Sequence, residues 1–349
     1  MTSAENKPAK PARRRYILLF GVIVLVIAGW TAAWAYGRSV LADQLDRQIA
    51  GMAERGLQIS CADRTIAGFP FRYEVGCRDM RSLDRAGSEA SLGGLNAVAL
   101  VYKPWHVIFE AKSPASMEIP LTGVSGDVSW DVARASMTFA NGSLGELDAV
   151  VARPEAAVEN AFSAGLFSAD KAEVHLREVP DQAGALEGFV SVNALKLKSF
   201  PELQETVDLR GQVQVTGGEA LLAGADLVSL VRMNDDELPV KLVLLEAGLG
   251  ESRVGASGDL LVNGDGTLSG TLDVTLGNAN ALLQSLKPLF PPENQTFALM
   301  ENVVKGLEPA ATEIDGVPSI KLPVVIDRGT VRAGFLPLGR IPPLFQAGI

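Results

Sequence analysis

Residues 257–276 read SGDLLVNGDGTLSGTLDVTL, and this stretch decides the fold class. Leu260 and Val262 stand two apart before Asn263-Gly264-Asp265-Gly266, and Leu272 and Val274 repeat that spacing after it. Asn, Gly and Asp in tandem tolerate the positive φ of a tight turn, so the stretch predicts a β-hairpin with one apolar face. A calcium loop does not fit. Leu261 stands where an acid would be needed, and no glutamate follows in register.

The same period-two pattern extends outward in both directions. Residues 171–179, 186–198 and 207–216 place an apolar residue at every second position. Leu195 and Leu197 stand against Lys196 and Lys198, and Val213 and Val215 against Gln212 and Gln214. Toward the N-terminus, 95–102, 105–111, 117–121, 127–131, 135–140 and 144–151 read as strands, with Asn141-Gly142 as a turn. A last hairpin is expected through 320–327 and 330–335. With 35 glycines in 349 residues, the composition supports a turn-rich β protein.

Three segments break that pattern. Pro154 and the spacing of Val158, Ala161, Phe162 and Leu166 predict a short helix over 154–168, the alternative being a loop. Asn278 is the expected cap of a helix over 279–286, ended by Pro288, Pro291 and Pro292. A second helix over 293–305 carries Phe297, Met300 and Val304 on one face, with Gly306 as its stop. Such a pair would plug the open end of a curved sheet or cover one of its edges.

Before the strands lies 16–35, twenty residues without a charge, preceded by Arg13, Arg14 and Arg15. As a helix it reaches roughly 30 Å, the thickness of a bilayer's hydrocarbon core. The head holds five basic residues and one acid, so the positive-inside bias keeps it cytoplasmic and exports the rest. Trp30, Trp34 and Tyr36 cluster at the exit, where amphipathic rings favour the headgroup level. Ala33-Trp34-Ala35 also has the form of a cleavage site. The length of the apolar run favours an uncleaved anchor over a signal peptide. Residues 38–54 then show Leu41, Leu45, Ile49 and Met52 on one face of an amphipathic helix, with Gly56 as its stop. The expected organisation is a basic tail 1–15, a span 16–36, a stalk 37–56 and an exported β-rich domain 57–349, with sub-sheets 57–153 and 171–349.

Net charge is −10, and −14 beyond the exit once the head's five bases and one acid are removed. Such an acidic body is unsuited to nucleic acid or to a bare anionic membrane surface. The two cysteines, Cys61 and Cys77, lie eight residues either side of Phe69 in a Gly68-Phe69-Pro70 turn. A symmetric hairpin sets them opposite each other, and an oxidising compartment would join them as a disulfide.

Cys61, Ile66-x-Gly68-Phe69-Pro70-Phe71-Arg72 and Cys77, behind a basic head and one apolar span, resemble an uncharacterised Gram-negative envelope family, number 2125 among the domains of unknown function. Gly334-x-x-Pro337-Leu338-Gly339-x-Ile341-Pro342-Pro343-Leu344 resembles that family's ending. No activity travels with the likeness. More loosely, the architecture is similar to AsmA-like envelope proteins, an anchor feeding β-hairpins of a long curved sheet, which implies lipid handling by analogy.

No catalytic pattern holds in this sequence. Ser168-Ala169-Asp170-Lys171 has Ser-x-x-Lys spacing but no companion motif, and no Gly-x-Ser-x-Gly elbow exists. Two histidines, His106 and His175, make no triad or metal set, and Asp235-Asp236-Glu237 reads as a solvated turn. No cofactor, no metal and no enzyme activity are expected. The fold expected is mostly β with few helices: one transmembrane helix, then an elongated, curved antiparallel sheet, groove-like or sandwich-like. Its location would be the bacterial inner membrane, single-pass, with the bulk periplasmic. Partners would be that membrane, lipid and other envelope proteins. Three readings compete: a groove for lipid or another apolar ligand, a structural or interaction module with a closed core, and an enzyme with an unfamiliar site. The groove reading names Leu195, Leu197, Val213, Val215, Leu260, Val262, Leu272 and Val274 on one face.

Overall fold

The computed structural model describes residues 13–120, 122–140, 143–160, 163–180, 182, 184–291, 294–314 and 316–345. It opens with α1 (Arg13–Glu54), a single helix of 42 residues that is long and apolar enough to cross a membrane. The expected span and stalk are therefore one uninterrupted helix. Its stop is Gly56, at φ +97, where the Leu57 N–H reaches back to the Met52 carbonyl at 2.9 Å. Only glycine takes that φ without strain. A guanidinium N–H of Arg85 donates to the Glu54 carbonyl at 2.7 Å, a cation placed at the negative end of the helix.

The strands that follow are β1 (Gln58–Ala67), β2 (Arg72–Leu83), β3 (Glu89–Leu100), β4 (Lys103–Ile119), β5 (Val124–Ser129), β6 (Val132–Ala140), β7 (Ser143–Ala152), β8 (Glu155–Glu159), β9 (Ala164–Ser168), β10 (Lys171–Glu178), β11 (Leu186–Leu197) and β12 (Val207–Val215). Helices α2 (Glu219–Leu222) and α3 (Leu227–Met233) interrupt them, before β13 (Glu237–Leu249), β14 (Ser252–Asn263) and β15 (Leu268–Gly277). Then come α4 (Ala279–Leu286), α5 (Gln295–Leu307), β16 (Thr312–Ile314), β17 (Val317–Asp327), β18 (Thr330–Ala333) and β19 (Leu336–Arg340).

All the described strands belong to one antiparallel sheet. From β1 to β4 they pair in sequence, and then the sheet forks. The first half of β4 pairs with β6, which leads through β7 and β10 to β11. The second half pairs with β5, which leads through β8 and β9 back to the end of β11. From β11 the order is β12, β13, β14, β15, β17, β18 and β19. The expected sub-sheets thus join directly, because β7 pairs with β10 along seven residues.

A seam of irregular residues makes the fork. Asp63 (φ 51) in β1, Asp79 (φ 47) in β2, Arg153 (φ 48) after β7 and Ala194 (φ 51) in β11 are all left-handed. Hydrogen bonds carry the seam from strand to strand: Trp130 N–H to Ser113 Oγ at 3.2 Å, Arg153 N–H to Asp170 at 2.9 Å, and Asp170 N–H to Asn193 at 3.0 Å. Each irregularity resets the two-residue alternation, so side chains on either side of it keep the same face. In β11 this is explicit: Val192 pairs with Leu209 and Leu195 with Val207, three steps against two.

Several expectations need correction. Within 154–168, β8 and β9 pair antiparallel as strands and not as a helix, because β5 and β11 offer both edges of the pair a partner. Ala161 and Phe162 lie outside the described residues, as do Asn141 and Gly142. Cys61 and Cys77 are not directly opposite: Cys61 faces Met80, and Ile66 faces Val75. The bulges at Asp63 and Asp79 bring the two cysteines to a Cα–Cα distance of 5.6 Å, and they form a disulfide. Asn278 stands at the N-cap position of α4 in a left-handed conformation and makes no side-chain cap bond. Gly306 does not stop α5, which runs one residue further to Leu307 with Glu308 as its C-cap; at the other end Asn294 is the N-cap, its side chain accepting from Phe297 N–H.

Candidate functional site

Residues paired across a ladder point to the same side of a sheet, so register tells which side chains share a face. One row runs Val75, Ala97, Phe109, Ala135, Ala149, Val174, Val190, Gly211, Leu245, Ala256, Val274, Leu322, one residue from each of twelve strands. Parallel rows run from Tyr73 through Leu176 and Val213 to Val324, and from Cys77 through Ala172 and Leu209 to Ile320. None of the residues in the three rows is charged. At the usual strand spacing, twelve strands by three rows cover about 50 Å by 15–20 Å, or nearly 1,000 Å². A soluble monomer's largest apolar patch is about 300–600 Å².

The opposite face is wet. Glu110 meets Arg134 at 3.2 Å and Asp148 meets His175 at 2.6 Å. Glu187 accepts from Arg177 at 2.6 and 2.9 Å and from Gln214 at 2.8 Å. The Gln214 bond, then the Arg177 guanidinium, hold its carboxyl below the ordinary glutamate range against the opposing effect of burial.

Among the described residues, two helix pairs cover the ends of the apolar face. Helices α2 and α3 pack Leu230 and Val231 onto Leu238 and Val262, with Val215 and Val240 beside them. Helices α4 and α5 pack Leu283, Phe297 and Val304 onto Ile320, with Leu276 and Leu322 at the rim. Beyond them the face is open: Val174 is 39%, Val190 47% and Leu245 51% exposed.

Register puts all eight sequence-derived residues on this face, but in different settings. Val213, Leu272 and Val274 lie in the three rows. Val215 and Val262 lie under α2 and α3, and Leu260 shares a row with Val215 through Val240. Leu195 and Leu197 lie across the seam, paired with Val207 and Phe167. The contributions of Val190, Leu245 and the N-terminal strands were missed. Their signal is the same alternation, hidden because the seam shifts its phase by an odd number of residues, as from Val192 to Leu195.

No metal-holding group of three or more His, Cys, Asp or Glu occurs among the described residues. His175 sits with Asp148 in a shallow pocket lined by Glu146, Arg177, Glu187, Phe189 and Gln212, a set without a serine, threonine or cysteine nucleophile. Ser168 and Lys171 stand at strand ends and not on a helix turn, and Lys171 Nζ binds Glu173 at 2.6 Å.

The match to known families covers residues 34–342, from the exit of the apolar run to the C-terminal prolines, and falls on the bacterial family described as an uncharacterized protein conserved in bacteria (DUF2125). The chain belongs to this family. No curated protein matches it. The matched region of this DUF2125 chain takes in the whole apolar face and both helix caps, so the family likeness extends over the candidate site.

Proposed function

We propose that this DUF2125 protein is anchored by α1 in the bacterial inner membrane and carries lipid acyl chains on the open apolar face of its periplasmic sheet. The observation that carries the reading is the triple row of uncharged residues across twelve strands, whose part beyond the two helix caps is left uncovered. With the end at Ile320, Leu322 and Leu276 already under α4 and α5, the rest of the roughly 1,000 Å² still corresponds to about 10–20 kcal/mol of transfer free energy, comparable to a folded domain's whole stability. A cover is required, and acyl chains are the apolar material nearest to an anchored sheet. The looser likeness to AsmA-like proteins points the same way. On this reading the protein is a carrier or shield and performs no bond chemistry.

Native mass spectrometry of the purified full chain tests this. Retained lipid adducts are expected, and a Leu245→Asp/Leu272→Asp variant should lose them while keeping the Cys61–Cys77 disulfide. Asp in place of Val215 would break the α3 core instead, so lost binding could not be told from unfolding there. Wild-type protein without lipid would favour a structural or interaction module of the envelope.

A further inference from the structure

The hairpin tips along one edge of the sheet differ in character, and the difference follows α1. The β1–β2 tip is fastened to that helix: Trp30 Nε1 donates to the Pro70 carbonyl at 2.9 Å, and Trp34 Nε1 to the Arg72 carbonyl at 3.1 Å. Trp30 also lies 6.1 Å, ring to ring, from Phe71. Trp30 stands five residues inside the end of the charge-free run, about 7.5 Å along the helix axis. Pro70 and Phe71 are therefore level with the apolar run itself and not with the polar stalk.

The next tips on the same edge continue this level. Val101 N–H donates to the Phe71 carbonyl at 2.9 Å, which sets Tyr102 and Trp105 beside the first tip. Thr138 pairs with His106, which sets Phe139 at the level of Trp105. Phe71 is 61%, Tyr102 70% and Trp105 51% exposed. Farther along this edge, the turns Asn263-Gly264-Asp265-Gly266 and Asp327-Arg328-Gly329 hold no aromatic residue of their own, and the aromatic residue that meets the first of them, Phe345, packs inward on the Leu238–Val262 cluster.

We infer that the first two tips, with Phe139 beside them, are seated in the headgroup and upper acyl layer of the leaflet at the exit of α1, so that the apolar face begins at the bilayer. Amphipathic Tyr and Trp favour that depth, and Lys103 between them is placed to meet lipid phosphate. The inference rests on the proposed anchoring by α1, and it adds a second, sheet-borne contact with the same membrane. An aromatic, half-exposed row held level with a spanning segment has the bilayer as its occupant by geometry, since α1 brings both to one depth.

Site-directed spin labelling of the full chain in phosphatidylcholine–phosphatidylglycerol vesicles tests it. Each added thiol is the sole free one, because Cys61 and Cys77 are bonded to each other. Labels would be placed at Tyr102→Cys and Trp105→Cys on the tips, at Glu202→Cys on the far edge, and at Gly21→Cys in α1, where nothing lies within 4 Å. The tip labels should be several-fold less accessible to a water-soluble nickel relaxant, and more accessible to oxygen, than the Glu202 label. Tip labels as water-exposed as Glu202, with the Gly21 label protected, would overturn the seating alone. A water-exposed Gly21 label would overturn the anchoring and the seating together.

Discussion

The indole N–H of Trp30 donates to the carbonyl oxygen of Pro70 at 2.9 Å, across 40 residues of chain. That bond joins the helix to the tip of the first hairpin. Farther along, Trp34 stacks on Tyr73 at 5.6 Å and meets Phe69 edge-on at 5.5 Å, Arg38 Nε donates to the Ile66 carbonyl at 3.0 Å, and Asp46 meets Arg64 at 2.6 Å. Gly37 is what lets Tyr73 lie this close, since a Cβ there would fall on its hydroxyl. The helix and the hairpin therefore act as one strut.

Trp34→Ala should loosen that strut. It removes two ring contacts and one hydrogen bond, a loss of about 1–3 kcal/mol. Hydrogen exchange of the β1 and β2 amides should quicken while that of β14 and β15 stays unchanged. Equal quickening in both regions would show that Trp34 serves the whole sheet and not the strut.

The disulfide closes a short loop in the hairpin that bears on α1. Cys61→Ser/Cys77→Ser should cost about 3 kcal/mol by the chain-entropy argument, read as a lower Tm. Alkylation of the native protein without reductant should label neither cysteine. Free thiols in periplasm-derived material would contradict both the bond and the compartment.

Ala194 is the only residue without a polar side chain among the left-handed non-glycine positions of the described residues. Alanine holds that conformation at a cost of about 1–2 kcal/mol, and a β-branched residue pays more. Ala194→Gly should be neutral to stabilising, and Ala194→Val destabilising by more than 1 kcal/mol. The opposite order in thermal melts would mean that the seam is not conformationally strained at β11.

Acid should weaken the wet face. The carboxyl of Glu187 titrates below its unfolded range, so its contribution is complete at neutral pH and is lost as pH falls below about 4.3 toward its folded value. The fall in Tm between pH 5 and 3 should be smaller in Glu187→Gln than in the native protein. Identical slopes would assign the acid sensitivity to other carboxylates.

Much of this molecule was legible because alternation is a local signal. Val213 and Val215 against Gln212 and Gln214 announce a half-wet strand without any knowledge of its neighbours, and the Asn263–Gly266 turn stands where its residue types demand. What was hidden depends on long-range pairing. The segment Glu155–Ser168 has apolar residues at helical spacing, yet it becomes a pair of strands because two distant strands offer edges to it. Asp63 and Asp79 look like ordinary polar residues of a strand until their φ values show them resetting its phase. Helices α2 and α3 were missed because each is short. The signal available was Asp226, whose carboxylate accepts the Ser229 N–H ahead of Leu230 and Val231. Missing them placed Val215 and Val262 in the open face when they belong to a covered end.

Photo-crosslinking in living cells bears most directly on the lipid face. Cells fed a diazirine-bearing fatty acid and irradiated should yield lipid-modified peptides from β11 to β15, around Val190, Val213, Leu245 and Leu272. Peptides from α1 would be modified in any case and serve as the internal reference. Leu245→Asp/Leu272→Asp should remove the sheet modification and leave that of α1. Modification confined to α1 in the wild-type protein would contradict the account, because the apolar face would then be carrying no lipid.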